Sequence, residues 1–387
     1  MKFNKKLFLA LSILLLVLFS GNFFTKARDL ARVKGLKNEN VSFDKLTLYF
    51  IEAANTKGAP YAFSLLKEAS LPDNTDTHLL GHAVGDVLFR QKGKEGIFSC
   101  THDFRNACSH SIVVGLFLEK GKAALQEIAE VCKAAPGGKG AYSMCFHGLG
   151  HGVLAHFNYD FEEAVANCGG LIHTRTTERS ECVGGALMEL ISGGFHDTVS
   201  WERQRQKYLT SSDPLSPCNL DFVRDENKPV CFLYLTPYLM EVAGIDLGGE
   251  IEKDLLRAAF SYCNGETGEA REACFGGFGK EFVALIEGRD IRDISSLSSS
   301  QLKMIQEFCM LAEEGVFPCL QHAVNSLYWG GENDFAVAID FCSLQSSLKE
   351  DCFRHLENAV FYFNTNKTYL EDFCQKLVQA GYGCLNI

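Results

Sequence analysis

CSHSIVVGLFLEKG at residues 108–121 and CFHGLGHGVLAHF at residues 145–157 open the same way: a cysteine, a histidine two residues on, then apolar residues every three or four positions. Such recurrence marks a helix with one buried face. The opening returns, without the histidine, as CVGGALMELISGG at 182, CFLYLTPYLMEVAG at 231, CFGGFGKEFVALIEG at 274, CLQHAVNSLYWGG at 319 and CFRHLENAVFYFN at 352. With Cys384 included, these cysteines recur every 32 to 49 residues, the spacing of two-helix repeats.

Each has a partner upstream. The 16 cysteines fall into eight successive pairs: Cys100 and Cys108, Cys132 and Cys145, Cys168 and Cys182, Cys218 and Cys231, Cys263 and Cys274, Cys309 and Cys319, Cys342 and Cys352, Cys374 and Cys384. The first member ends an apolar-periodic run such as LQEIAEVC132, a short polar or glycine-bearing stretch turns the chain, and the second member opens the next helix. A bridge across such a turn stabilises the hairpin by roughly 3 kcal/mol in the chain-entropy model. Spacing alone does not fix connectivity. Thiolate metal binding is the rival reading, but C-x-x-C is absent, which removes zinc ribbons and c-type haem attachment.

The expected fold is therefore all-α: a right-handed αα-hairpin repeat array, a solenoid or compact superhelix, with one disulfide per hairpin. In architecture, residues 46–387 resemble the cysteine-rich Sel1-type and tetratricopeptide-type repeat proteins exported by bacteria. The short hairpin spacing and glycine signature of Sel1 repeats are missing, so no binding residue carries over.

Composition agrees with export. The chain has 387 residues, 47% of them apolar, and a net charge of -11, which disfavours a nucleic-acid binder. Lys2, Lys5 and Lys6 precede an apolar run over 7–24, about 27 Å long as a helix, enough to cross a bilayer core. Leu18 and Phe19 stand where a cleaved signal peptide carries small residues, so a signal anchor is the preferred reading. It places 1–6 in the cytoplasm and, after a linker at 25–45, exports the remainder into an oxidising space. The repeats then divide into a histidine-rich set at 46–204, an irregular insertion at 205–230 and a second set at 231–387. In the serine-rich run before 301, a helix N-cap is expected at Ser299 or Ser300.

Nine of the eleven histidines lie between 78 and 196. HLLGHAVGDVLF at 78–89 reads as another second helix with Asp76 at the cysteine position. In that register His78, His110 and His147 fall two residues after the reference position, and His82 and His151 fall six after it. Histidines at i and i+4 share a helix face, and equivalent positions on neighbouring helices converge. These five are the expected ligands of a transition-metal ion, copper or zinc before iron, with His102 and His156 as additional contacts. His322 and His355 follow their cysteines by three and are read as structural.

Asp86 and Glu189 are the candidate carboxylates, as ligand, outer hydrogen-bond acceptor or general base, with Asp103 and Arg105 nearby. Such a centre suits hydrolysis or oxygen-dependent oxidation. HExxH, GxSxG, the P-loop and a helix-opening GxGxxG are absent, so no nucleotide cofactor is expected. The alternative is a non-catalytic scaffold whose groove takes a peptide or protein, with Tyr234, Tyr238, Trp329 and Phe363 among its aromatic anchors.

Overall fold

A computed structural model of the chain describes residues 26–39, 41–171, 176–193, 197–245, 251–330, 333–345 and 347–385. The apolar run at 7–24 lies outside these. No helix among the described residues is long and apolar enough to cross a membrane. Secondary structure there is helical throughout, apart from one isolated bridge between Thr210 and Asp213.

The second helices of the hairpins form an inner layer: α1 (Thr77–Lys92), α2 (Asp103–Lys120), α3 (Gly138–His156), α4 (Thr176–Ser192), α5 (Lys228–Val242), α6 (Gly268–Ile286), α7 (Val316–Trp329) and α8 (Lys349–Phe363). Each packs on the next. Outer helices such as Leu125–Cys132, Phe161–Gly169 and Lys253–Cys263 lie behind them, and the core fills the space between, with Phe146, Phe161, Phe278 and Phe282 fully buried.

All eight expected disulfides are present, each joining sequence neighbours 8 to 14 residues apart. In the first hairpin, where no cystine stands, the Asp76 side chain caps α1 by accepting from Leu79 N at 3.0 Å. Two details differ from expectation. The last bridge ties the outer helix Lys367–Gln379 to Cys384, which stands outside any helix. The serine cap is Ser298, whose side chain and Gln301 form a reciprocal capping box; Ser299 already belongs to the helix.

The insertion begins inside a regular helix at Thr198–Tyr208 and holds a helical turn at Ser216–Asn219, which brings Cys218 to Cys231. Pro237 inside α5 cannot donate to Leu233 O, and Thr236 Oγ1 reaches that carbonyl at 3.3 Å instead.

Glycine sets the spacing around the histidines. A Cβ at Gly148 would lie 2.8 Å from the Cα and ring of His110, and one at Gly185 would lie 1.9 Å from His147 O. The glycines of this region are thus helix-contact residues.

The array also returns on itself. Arg292 Nη1 donates to Leu66 O at 2.6 Å and Ala69 O at 2.8 Å, Arg105 pairs with Glu287 at 3.2 Å, and Gly140 on α3 packs against Trp329 and Phe363. The inner helices thereby surround a cavity of about 710 Å³.

Gly185→Ala is expected to destabilise the protein by about 1–3 kcal/mol, since backbone on α3 must move to admit the methyl group. Gly169→Ala, where a Cβ meets nothing within 4 Å, should stay within about 0.5 kcal/mol of the parent in the same denaturant titration.

Candidate metal centre

The second cysteines do not open their helices as expected, since α3 begins seven residues before Cys145, but a cap on α1 and a cystine on α2 and α3 pin these helices at equivalent positions, so their +2 and +6 positions come to one level. His78 and His82 stack one turn apart on α1, with ring centroids 4.6 Å apart, and His147 and His151 do the same on α3 at 5.1 Å. His110 on α2 touches both pairs: its ring centre is 5.5 Å from His78 and from His82, 6.0 Å from His147 and 6.3 Å from His151. One ligand nitrogen from each of His78, His82 and His110 lies within 4.8 Å of the others, so this group could hold a metal ion.

The outer hydrogen bonds fix how the rings are presented. His78 Nδ1 is 2.6 Å from Phe104 O, which can only accept, so the proton sits on Nδ1. Ser111 Oγ donates to His82 O at 2.9 Å and so has only lone pairs to offer His82 Nδ1 at 3.2 Å; that nitrogen too is the protonated one. Both Nε2 lone pairs therefore face each other across 3.2 Å. A cation between them relieves that opposition. Nitrogens 3.2 Å apart and each about 2.0–2.1 Å from one ion subtend roughly 100–106°, close to tetrahedral.

Phe104 O is aimed at His78 by an uncommon backbone. Phe104, Arg105 and Asn106 have φ of 56°, 52° and 61°, one left-handed turn ahead of the regular part of α2. Such residues cost about 1–2 kcal/mol each. The Cys100–Cys108 bridge closes the loop, Phe104 stacks on Phe63 at 6.2 Å, and Arg105 reaches Glu287, holding the turn in place.

On the other side, His151 Nδ1 is 2.9 Å from Glu189 Oε2, the carboxylate–histidine pairing that orients metal-bound imidazoles. His147 rests on the Tyr234 ring at 4.6 Å, with Glu181 Oε2 3.8 Å from its Nδ1. Asp86 is half-buried on α1, one turn beyond His82 and outside the three-histidine group. Asp103 pairs with Lys67. His102 stands at the N-cap position of α2 without a side-chain capping bond, beside Gly137, and His156 packs edge-on to Phe117 at 5.2 Å; neither stands with the five, because the +2 and +6 register excludes them. His322 lies against Gly276 on the cavity wall, and His355 Nε2 meets Asn325 Oδ1 at 2.9 Å.

Sequence reading missed Ser111, Glu181 and Lys280, and it named Tyr234 only as a groove aromatic, not as the ring on which His147 rests. Ser111 and Tyr234 occupy the position three after the cysteine, and polarity there is the signal that was present. Arg105, Tyr234, Lys280 and Trp329 line the cavity beside His78, His110 and His147.

Burial is the main cause that holds His110 and His147 well below the ordinary imidazole range and lowers His78, with neighbouring imidazoles adding to it. Burial likewise lowers His322, to about 4, and His355, and it raises Glu181 to about 7.

No protein-family model, curated protein or solved structure matches this chain. The chain folds as a cysteine-rich array of helical hairpins, and its eight disulfides fit an oxidising, extracytoplasmic compartment.

The metal-free protein should lose stability on acidification. A histidine with a lowered folded-state pKa contributes stability that is present above the unfolded value of about 6.5 and is lost as pH falls below it. Glu181 acts in the opposite sense, its contribution fading as pH rises toward 7, but it stands alone against five lowered histidines, His78, His110, His147, His322 and His355. Denaturant titrations at two pH values on either side of 6.5 should show the loss, and His110→Gln with His147→Gln should reduce it.

Proposed function

We propose that the protein is a membrane-tethered, extracytoplasmic helical-repeat protein that holds a transition-metal ion, copper or zinc, at His78, His82 and His110. The observation that carries this reading is the pair of Nε2 lone pairs facing each other at 3.2 Å, with both Nδ1 protons already committed to Phe104 O and Ser111 Oγ. Neutral imidazoles without a carboxylate in the group suit copper or zinc better than calcium or magnesium. Residues 7–24 tether the domain.

The reading extends to metal-dependent chemistry, hydrolysis or oxidation, on a small molecule taken into the adjoining cavity. Arg105 and Lys280 offer positive charge to such a molecule, and Tyr234 and Trp329 offer it flat apolar surface. In that role Glu189 orients His151, while Asp86, which does not line the cavity, is left without a part in the chemistry.

Elemental analysis of the purified, dialysed protein is expected to find at least one equivalent of copper or zinc, or uptake of one on addition. Less than about a tenth of an equivalent after loading would overturn the reading. Ser111→Ala, which removes the acceptor that sets the His82 tautomer, should weaken metal affinity by about 10–100-fold while leaving the helical circular dichroism unchanged.

A further inference from the structure

We infer that the C-terminal ends of α1 and α2 lie on an anionic bilayer surface, with Phe98 inserted and the lysines around it set against the headgroups. This rests on the reading of residues 7–24 as a tether.

Two sets of contacts fix which end of the array the tether reaches. Lys26, the first described residue, lies in a helix described over 26–33. Near its start, Asp29 accepts from Tyr61 Oη at 2.7 Å and pairs with Lys57. Lys57 ends the helix Phe43–Lys57, whose last turn gives Ala54 O to Gln91 Nε2 at 2.9 Å, and Gln91 is next to last in α1. At the other end of the 26–33 helix, Ser70 N donates to Val33 O at 2.9 Å, and beyond it Lys37 pairs with Asp73 at 2.6 Å, close to the Asp76 cap that begins α1. The 26–33 helix therefore runs antiparallel to α1. The chain leaves the apolar run beside the C-terminal end of α1.

That end carries both apolar and basic surface. Phe98, 79% exposed, is the most exposed of the large apolar side chains described, and Leu118 at the end of α2 is exposed as well. Lys92 Nζ donates to Ser99 Oγ at 2.8 Å, while Glu127 takes Lys94 at 2.5 Å and Lys120 at 2.8 Å, which gathers the two helix ends into one patch. With Arg90 and Lys122, five cations stand there against Glu95, Glu119 and Glu127, on a chain whose net charge is -11. An apolar tip ringed by cations is complementary to an anionic bilayer, and the acidic remainder of the protein is not. From solution such a contact is weak. A tether makes it intramolecular and raises the effective concentration to about millimolar.

Docking in this way sets the height of the metal centre. At ~1.5 Å per residue, His78 lies about 21 Å along α1 from Lys92, so the histidine group stands in the aqueous compartment, clear of the lipid.

The test reconstitutes the metal-free full chain into vesicles of equal parts phosphatidylcholine and phosphatidylglycerol, with brominated acyl chains as the quencher. Phe98→Trp is compared with Leu79→Trp, a 40% exposed position at the opposite end of α1, and the parent's emission from Trp201 and Trp329 is subtracted. An indole seated about 5–10 Å into the headgroup and acyl boundary is within reach of bromine, so Phe98→Trp should lose about half or more of its added emission and Leu79→Trp less than about a tenth. Both variants must keep the parent's helical circular dichroism, which exposed positions allow. Equal loss at the two positions, or none at either, in chains that float with the vesicles overturns the docking while the tether stands. Equal quenching of Phe98→Trp in phosphatidylcholine alone overturns the anionic partner. A chain that does not float overturns the tether and the docking together.

Discussion

Everything in this molecule depends on where its inner helices are pinned. A cystine on an inner helix ties it to the preceding arm of its hairpin, and the same device repeats from α2 to α8. Helices pinned at one level present equivalent positions at one level. The histidine cluster is a product of that alignment: slide α3 by one residue and its pair rotates by about 100° away from His110. On α1 the same alignment comes from the carboxylate of Asp76.

Alignment brings side chains level, and glycine brings them close. Gly148 lets α3 press on the His110 ring, and Gly185 lets α4 reach the carbonyl of His147. Glycine is unfavourable inside a helix by about 1 kcal/mol relative to alanine, so these positions give up helix propensity for proximity. The left-handed turn at Phe104–Asn106 is a second sacrifice of the same kind. Backbone in a sparsely populated region persists where its surroundings over-determine it, and here the surroundings are a disulfide, a ring stack and an ion pair that reaches across the cavity.

Much of this was legible in the chain. Cysteine spacing gave the hairpins and the pairings because each bridge is local, and histidine register gave the five rings because helical period is strict. What escaped the reading involves contacts remote in sequence or choices at the level of a proton. Arg292 meets carbonyls more than 220 residues away, and no local pattern announces that the array returns on itself. Glu181 looks like an ordinary polar residue beside Cys182 until α3 is packed against it. The roles of the two nitrogens on His78 and His82 depend on Phe104 O and Ser111 Oγ, atoms whose direction only the folded backbone sets. The cap at Ser298 differs from expectation by one residue, the ordinary play of a helix end within a run of serines.

The local order of the disulfides has a consequence for biogenesis. No bridge spans more than 14 residues, and none encloses another's cysteine. A chain emerging N-terminus first into an oxidising space can therefore complete each pair as soon as that hairpin has emerged. An oxidant that joins cysteines in order of appearance makes the native set without isomerisation, so this protein asks little of a disulfide-shuffling catalyst.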